Sequence, residues 1–244
     1  GAISLRANST GNESAYGPWG PTATGWELDL NQREIDMNEQ NYIYIAIRRP
    51  DGYVGKPVEL GTDVFNLALG AGNASIPEFA ANFAVDLGIV RQFANTQNFY
   101  VASRLTGTRY LQTNSTAAQA TASTFVFDSN AGWDSNSNNT NISWMWKRHT
   151  GFDVVTFKGD GVSGRQIPHS MNKVPEMIWL KNRSNTADWM VGHKGLDGGT
   201  NPWTHYLNLN TNVQELDETI WADTAPSSTH FSVGNFTAIN NNAH

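Results

Sequence analysis

One short polar phrase opening on leucine occurs three times in this chain, and its spacing limits the folds open to it. Leu5-Arg6-Ala7-Asn8-Ser9-Thr10, Leu111-Gln112-Thr113-Asn114-Ser115-Thr116 and Leu207-Asn208-Leu209-Asn210-Thr211-Asn212 begin 106 and then 96 residues apart. That interval is too long for a helical solenoid and suits one small domain per copy. Other landmarks keep the register. Thr22–Leu28, Thr121–Phe127 and Ser227–Val233 each follow a polar run with two bulky residues two apart. Tyr42–Arg49 pairs with Ile142–Arg148, an apolar strand closed by cations. Gly61–Phe65 pairs with Gly151–Val155, while Asp86–Arg91 and Asn98–Val101 match Glu176–Lys181 and Asp188–Val191 at a shift of 90.

Residues 1–50 hold only the later landmarks of a copy, 51–150 hold a full set, and 151–244 lack a counterpart of Ile142–Arg148. The expected organisation is therefore the carboxyl half of a first repeat, a complete second repeat, and a third repeat without its last strand. On this reading the chain is a segment of a longer polypeptide, or neighbouring chains donate the missing strands at an open edge. Gly1 is not expected to be the native start.

The expected fold class is all-β, a tandem array of β-sandwich repeats of about 100 residues, jelly-roll or concanavalin-like. Polarity comes from Asn, Ser and Thr more than from charge, since only 16% of residues are charged. Those residues favour turns over helix interiors, and no stretch sustains a helical apolar period for three turns. Pro77–Ala84 is the nearest helical candidate. Tyr42-Ile43-Tyr44-Ile45 is β-branched and aromatic throughout, and Glu176–Lys181 is apolar on both faces, as a strand between two layers would be.

With no cysteine, disulfides and thiolate metal sites are excluded. A net charge of −6 and a pI near 5.4 argue against a nucleic-acid partner, whose phosphates need a basic footprint. No apolar run approaches the roughly 20 residues of a membrane-spanning helix, so membrane insertion is not expected.

Trp144-Met145-Trp146-Lys147-Arg148 leads into Gly151-Phe152-Asp153-Val154-Val155-Thr156-Phe157, followed by Gly164–Ser170, Val174–Ile178 and His193-Lys194-Gly195-Leu196. This succession resembles a repeated domain of virion proteins from marine tailed phages, phages of cyanobacteria above all. The resemblance is strongest over 142–244 and weaker over 51–141, where Ile76-Pro77 is kept but Arg104 stands for Lys194. It implies a lectin-like sandwich in a tail fibre or other appendage, at the particle surface, with a structural or adhesive role. It carries over no catalytic residue.

Several constellations invite chemistry. Glu34-Ile35-Asp36-Met37-Asn38-Glu39 looks like the Glu-x-Asp-x-x-Glu strand of laminarinase-type glycoside hydrolases, where carboxylates on one bulged strand serve a retaining mechanism. Asn38 stands where that family has an apolar residue, and neither other copy keeps a carboxylate pair there, so a solvated turn is favoured and no enzyme activity is expected. Asp128, Asn130 and Asp134, with Asn136 and Asn138, offer hard oxygen ligands to calcium, although such loops more often bond their own backbone. No other cofactor is expected. Trp144 and Trp146 share a strand face that would suit sugar stacking, but core packing is favoured. The loop with Trp203, His205 and Tyr206 is longer than its counterpart and is the better adhesive candidate. His169, His193 and His205 lack metal-ligand spacing.

These readings converge on a structural virion segment that meets other virion proteins and copies of itself, with host-surface polysaccharide as the ligand of an adhesive loop. A glycan hydrolase with carboxylates at 34–39 and a cellular surface adhesin are the competing classes.

Overall fold

A computed structural model of the chain describes residues 19–21, 26–28, 60–73, 76–135 and 138–241. The chain divides into two compact units, Gly1–Arg48 and Arg49–His244. In the first, β1 (Trp19–Pro21) pairs antiparallel with β2 (Trp26–Leu28), Trp19 opposite Leu28. The Leu5–Thr10 phrase, the carboxylates Glu34, Asp36 and Glu39, and the strand expected at Tyr42–Arg49 lie outside the described residues.

The second unit is all-β, with no α-helix among the described residues. Its amino-terminal half contains β3 (Phe65–Leu69), β4 (Phe79–Ala80), β5 (Leu87–Gln92), β6 (Tyr100–Ser103), β7 (Arg109–Gln112), β8 (Ala120–Thr121), β9 (Gly132–Trp133) and β10 (Asn141–Trp146). Six of these form one antiparallel sheet in the order β3-β10-β5-β6-β7-β8, and β4 pairs with β9. The stretch Pro77–Ala84, the nearest helical candidate, holds β4 and a turn instead. Phe79, Ala81 and Phe83 are buried while Ala80 and Asn82 are exposed, so burial follows the period of two that a strand imposes.

Alternation along β10 decides what each side of the six-stranded sheet does. Asn141, Ser143 and Met145 are buried on one side. There Met145, Val90 and Ala102 meet Phe79, Phe83, Val85, Phe125, Phe127 and Trp133 in a two-layered core. The Trp133 indole N–H donates to Ser143 Oγ at 2.9 Å, satisfying its one polar atom inside that core. Gly88 makes room for the ring: a Cβ there would lie 2.3 Å from Trp133 Cζ2.

The carboxyl-terminal half contains β11 (Arg165–Pro168), β12 (Met177–Leu180), β13 (Met190–His193), β14 (His205–Asn208), β15 (Leu216–Asp217) and β16 (His230–Val233). β12-β13-β14-β15 form an antiparallel meander, and β11 pairs with β16. Ile167, Leu180, Met190, Tyr206 and Val233 close a second core around Trp203, Ile220 and Trp221. β12 departs from the expectation of a strand buried on both faces. Among the described residues it is an edge strand, and Met177 and Trp179 on its outer face are 51% and 44% exposed.

The leucine phrase does the same physical work in both halves. Thr113 N–H donates to Phe99 O at 3.1 Å, and Leu209 N–H donates to Trp189 O at 3.0 Å. One asparagine then reaches back to the neighbouring strand. Asn114 Oδ1 accepts from Phe99 N–H at 3.0 Å, and Asn210 Oδ1 accepts from Trp189 N–H at 2.9 Å. Each amide also donates to the residue before, Asn114 to Asn98 and Asn210 to Asp188. The side chain thereby supplies a hydrogen bond that the backbone ladder no longer offers at its frayed end.

The two halves are sewn together along the other face of the six-stranded sheet. Trp189 packs on Ile89 and Val101, with Leu111, Phe99 and Leu209 around it. Its indole N–H donates to Gln112 O at 2.8 Å. Backbone bonds from Gln119 to Arg183 O and from Ala187 to Thr116 O flank it, and Arg183 Nε donates to Gln119 Oε1 at 2.9 Å. Each half thus loses an apolar patch from water only by meeting the other.

Candidate functional site

Beside this seam lies a groove of about 350 Å³ with an aromatic floor. Trp144 and Trp146 stand two apart on β10 and so point to the same side. Ile89 lies opposite Trp144 in the ladder with β5, and Trp179 of β12 forms part of the facing wall. Phe99 sits 6.1 Å from Trp144 between ring centroids, while Phe152 stacks on Trp146 at 5.9 Å. The rim is polar, with Thr113 and Asn114 at its lip. Toward the sheet edge the aromatic floor runs on into Phe65, Leu67 and Leu69, which are 39%, 49% and 59% exposed.

Half-exposed indole faces next to one hydroxyl and one side-chain amide can bind a flat, partly apolar ligand such as the face of a pyranose ring. The groove lining is aromatic, aliphatic, hydroxyl and amide in character. A second depression lies at Arg148, Asp153, Pro168 and His169. Its charges are committed to one another: Arg148 Nε donates to Asp153 Oδ1 at 2.6 Å, and Asp153 Oδ2 accepts from the backbone and hydroxyl of Ser170.

Residues 61–244 match a family described as a domain of unknown function, DUF7483. The chain belongs to the DUF7483 family. The matched stretch takes in both cores of the second unit and the seam between them. No curated protein and no solved structure matches the chain.

Within this DUF7483 stretch the residues singled out in the sequence fall in different places. Trp203 and Tyr206, expected on an adhesive loop, are core residues with 7% and 8% exposure. Trp203 meets Trp221 edge to face at 5.8 Å, and Trp221 donates in turn to the backbone oxygen of His205. The extra loop length is used for a 3-10 turn, Pro202–Thr204, that turns the indole inward. His205 is half-buried and its Nδ1 contacts Thr204 Oγ1 at 2.8 Å. Trp203 and Tyr206 therefore present little ring surface, while His205 keeps part of its surface exposed. Asp128 and Asn130 are exposed, and Asp134 is half-buried on a backbone bridge to Val126. No group of three acidic, histidine or cysteine side chains suited to a metal occurs among the described residues. Glu78 is a deeply buried carboxylate, and its Oε1 accepts from Asn138 N–H at 2.7 Å.

The groove residues Trp144 and Trp146 were legible as a pair on one strand face. Trp179 was not, because only the edge position of β12 exposes it.

Near the seam, burial pushes the Lys181 ammonium down to about 8, against the opposing pull of Asp188. Its Nζ donates to the carbonyl of Asn182 at 2.7 Å. A lysine whose pKa is lower folded than unfolded opposes folding while both states are charged, and this opposition fades as pH rises from about 8 toward the unfolded value. The wild-type chain is therefore expected to gain stability relative to Lys181→Met between pH 8 and 10, read as the difference in urea midpoint. A difference that stays flat across that range would contradict the assignment.

Proposed function

We propose that the chain is a structural segment of a virion protein, a tail fibre or other appendage built from tandem lectin-like, jelly-roll sandwiches, and that its aromatic groove contacts host-surface glycan. The observation that carries the structural part is the paired asparagine clamp: Asn114 and Asn210 make the same bonds 96 residues apart. A unit used twice and locked to its neighbour through Trp189 suits a load-bearing array. The resemblance of 142–244 to marine phage virion domains supplies the setting, with copies of the same chain and other virion proteins as its partners. A cellular surface adhesin would use the same sandwiches and differs in where the protein is found.

The groove carries the adhesive part. Trp146 and Trp179 supply half-exposed and exposed ring surface, and weak sites of this kind gain strength when copies are arrayed. The wild-type chain should bind isolated envelope polysaccharide of the host saturably. Trp179→Ala should weaken that binding about tenfold with the near-ultraviolet circular dichroism of the core unchanged. Absence of saturable binding by the folded wild-type chain would remove the glycan and leave the structural role alone.

A further inference from the structure

We propose that the aromatic groove takes an anionic glycan, and that Arg91 at its lip holds the carboxylate or sulfate group of the bound sugar. This rests on the glycan contact proposed above and narrows it to one chemical class. Along β5, Val90 packs into the first core while Ile89 lines the groove, so alternation puts Arg91 on the groove side. Its guanidinium stacks on Phe99, 4.8 Å from the ring centroid, and Phe99 is part of the groove lining. Phe99 O in turn accepts from Thr113 N–H of the rim. A cation, a ring and a polar lip thus follow one another across neighbouring strands.

Arg91 has no counter-ion among the described residues. Its Nε is also buried without a hydrogen-bond partner. Stacking on an aromatic face engages only the plane of a guanidinium. The donors lie along its edge, in a fork that matches the oxygens of an acid group. A donor left unmet inside protein is costly, so this lip holds both a charge and a hydrogen bond to spare.

The placing of the other cations agrees. Arg104, Arg148 and Arg165 have carboxylates at 3.6, 2.6 and 3.4 Å, from Asp86, Asp153 and Asp160. Arg91, Arg109 and Arg183 have none among the described residues, and all three belong to the groove side of the sheet or to its seam. Arg109 stands two before Leu111 on β7 and so shares the side on which Leu111 meets the seam. Arg183 reaches Gln119 across the seam. Burial lowers the Arg183 pKa, and the charge of Arg109 nearby lowers it further. In a chain of net charge −6, arginines without carboxylates gathered on one side make that side locally attractive to a polyanion. The apolar face of a sugar ring would lie on the indoles, with its acid group at Arg91.

The test compares three probes on the full chain: oligogalacturonate, the same oligosaccharide with its carboxyls reduced to alcohols, and the reduced form after sulfation. The wild-type chain should bind an acidic form about tenfold more tightly than the neutral one, with the gap narrowing as salt is raised. Which acidic form binds better distinguishes carboxylate from sulfate. Arg91→Gln should abolish the preference, and Arg91→Lys, which keeps the charge without the planar fork, should retain part of it. Equal affinity of the wild-type chain for acidic and neutral forms, or a preference that survives Arg91→Gln, overturns the assignment and leaves the glycan reading in place. Binding of none of the three by the folded chain overturns it as well, and the measurement with envelope polysaccharide then judges the glycan reading separately.

Discussion

Trp189→Ala is expected to cost about 3–5 kcal/mol in urea unfolding, the range for truncating a large buried aromatic side chain. Trp189 is 6% exposed and is the buried residue that the carboxyl-terminal half contributes to the seam, against Ile89 and Val101. Truncation leaves a cavity over both and removes the donor to Gln112 O. The first core has its own aromatic cluster around Trp133 and the second its own around Trp221, so both outlast loss of the seam. Unfolding should then separate into two transitions. Trp189→Phe keeps most of the packing and loses the hydrogen bond, for about 1 kcal/mol. A single transition with a loss below about 1 kcal/mol for the alanine variant would show that the halves are held together elsewhere.

Gly88→Val should be the most damaging single change to the first core. The site has no room, because Trp133 is fully buried and a Cβ would overlap its six-membered ring at 2.3–2.7 Å. The ring cannot retreat without giving up its bond to Ser143 and its stacked contact with Phe127 at 5.2 Å. Overpacking a tight core costs about 1–3 kcal/mol for small insertions and more for a branched side chain against a ring. The variant is expected to lose native near-ultraviolet signal at room temperature, and Trp133→Leu in the same chain should restore part of the stability by vacating the space. Wild-type stability for Gly88→Val would mean that the sheet and Trp133 are not in contact.

Much of the scaffold was legible because hydrogen-bond chemistry leaves marks in the sequence. The leucine phrase stood out, and its asparagine proves to be a clamp on the adjacent strand in both halves. β10 was readable as an apolar strand ending in cations, and β5 and β12 as matching segments at a fixed shift. What the sequence did not convey was which aromatics face outward. Trp203 lies in a long loop and was read as exposed, yet the 3-10 turn at Pro202 directs it into the core. Trp179 sits in an apolar run and was read as buried, yet among the described residues its strand is the sheet edge and the ring is 44% exposed. Both differences arise from long-range pairing, since the same local pattern is core beside a neighbouring strand and surface without one.

The groove joins these points to function. It exists because two sheets with apolar outer faces meet along only part of their length, closed at Trp189 and open from Trp144 to Trp179. A fold that needed only stability would favour covering those rings, whereas an exposed aromatic strip with a polar rim is what a surface-binding module retains. The proposed structural and adhesive roles would use neighbouring parts of one seam.

Mass spectrometry of purified virus particles from cells that produce this chain tests the central claim most directly. Peptides from residues 60–241 should co-purify with intact particles through a density gradient, in several copies per particle, and remain after a high-salt wash. Recovery of those peptides only with uninfected cell surfaces, and none in the particle band, would contradict a virion role and turn the account to a cellular adhesin.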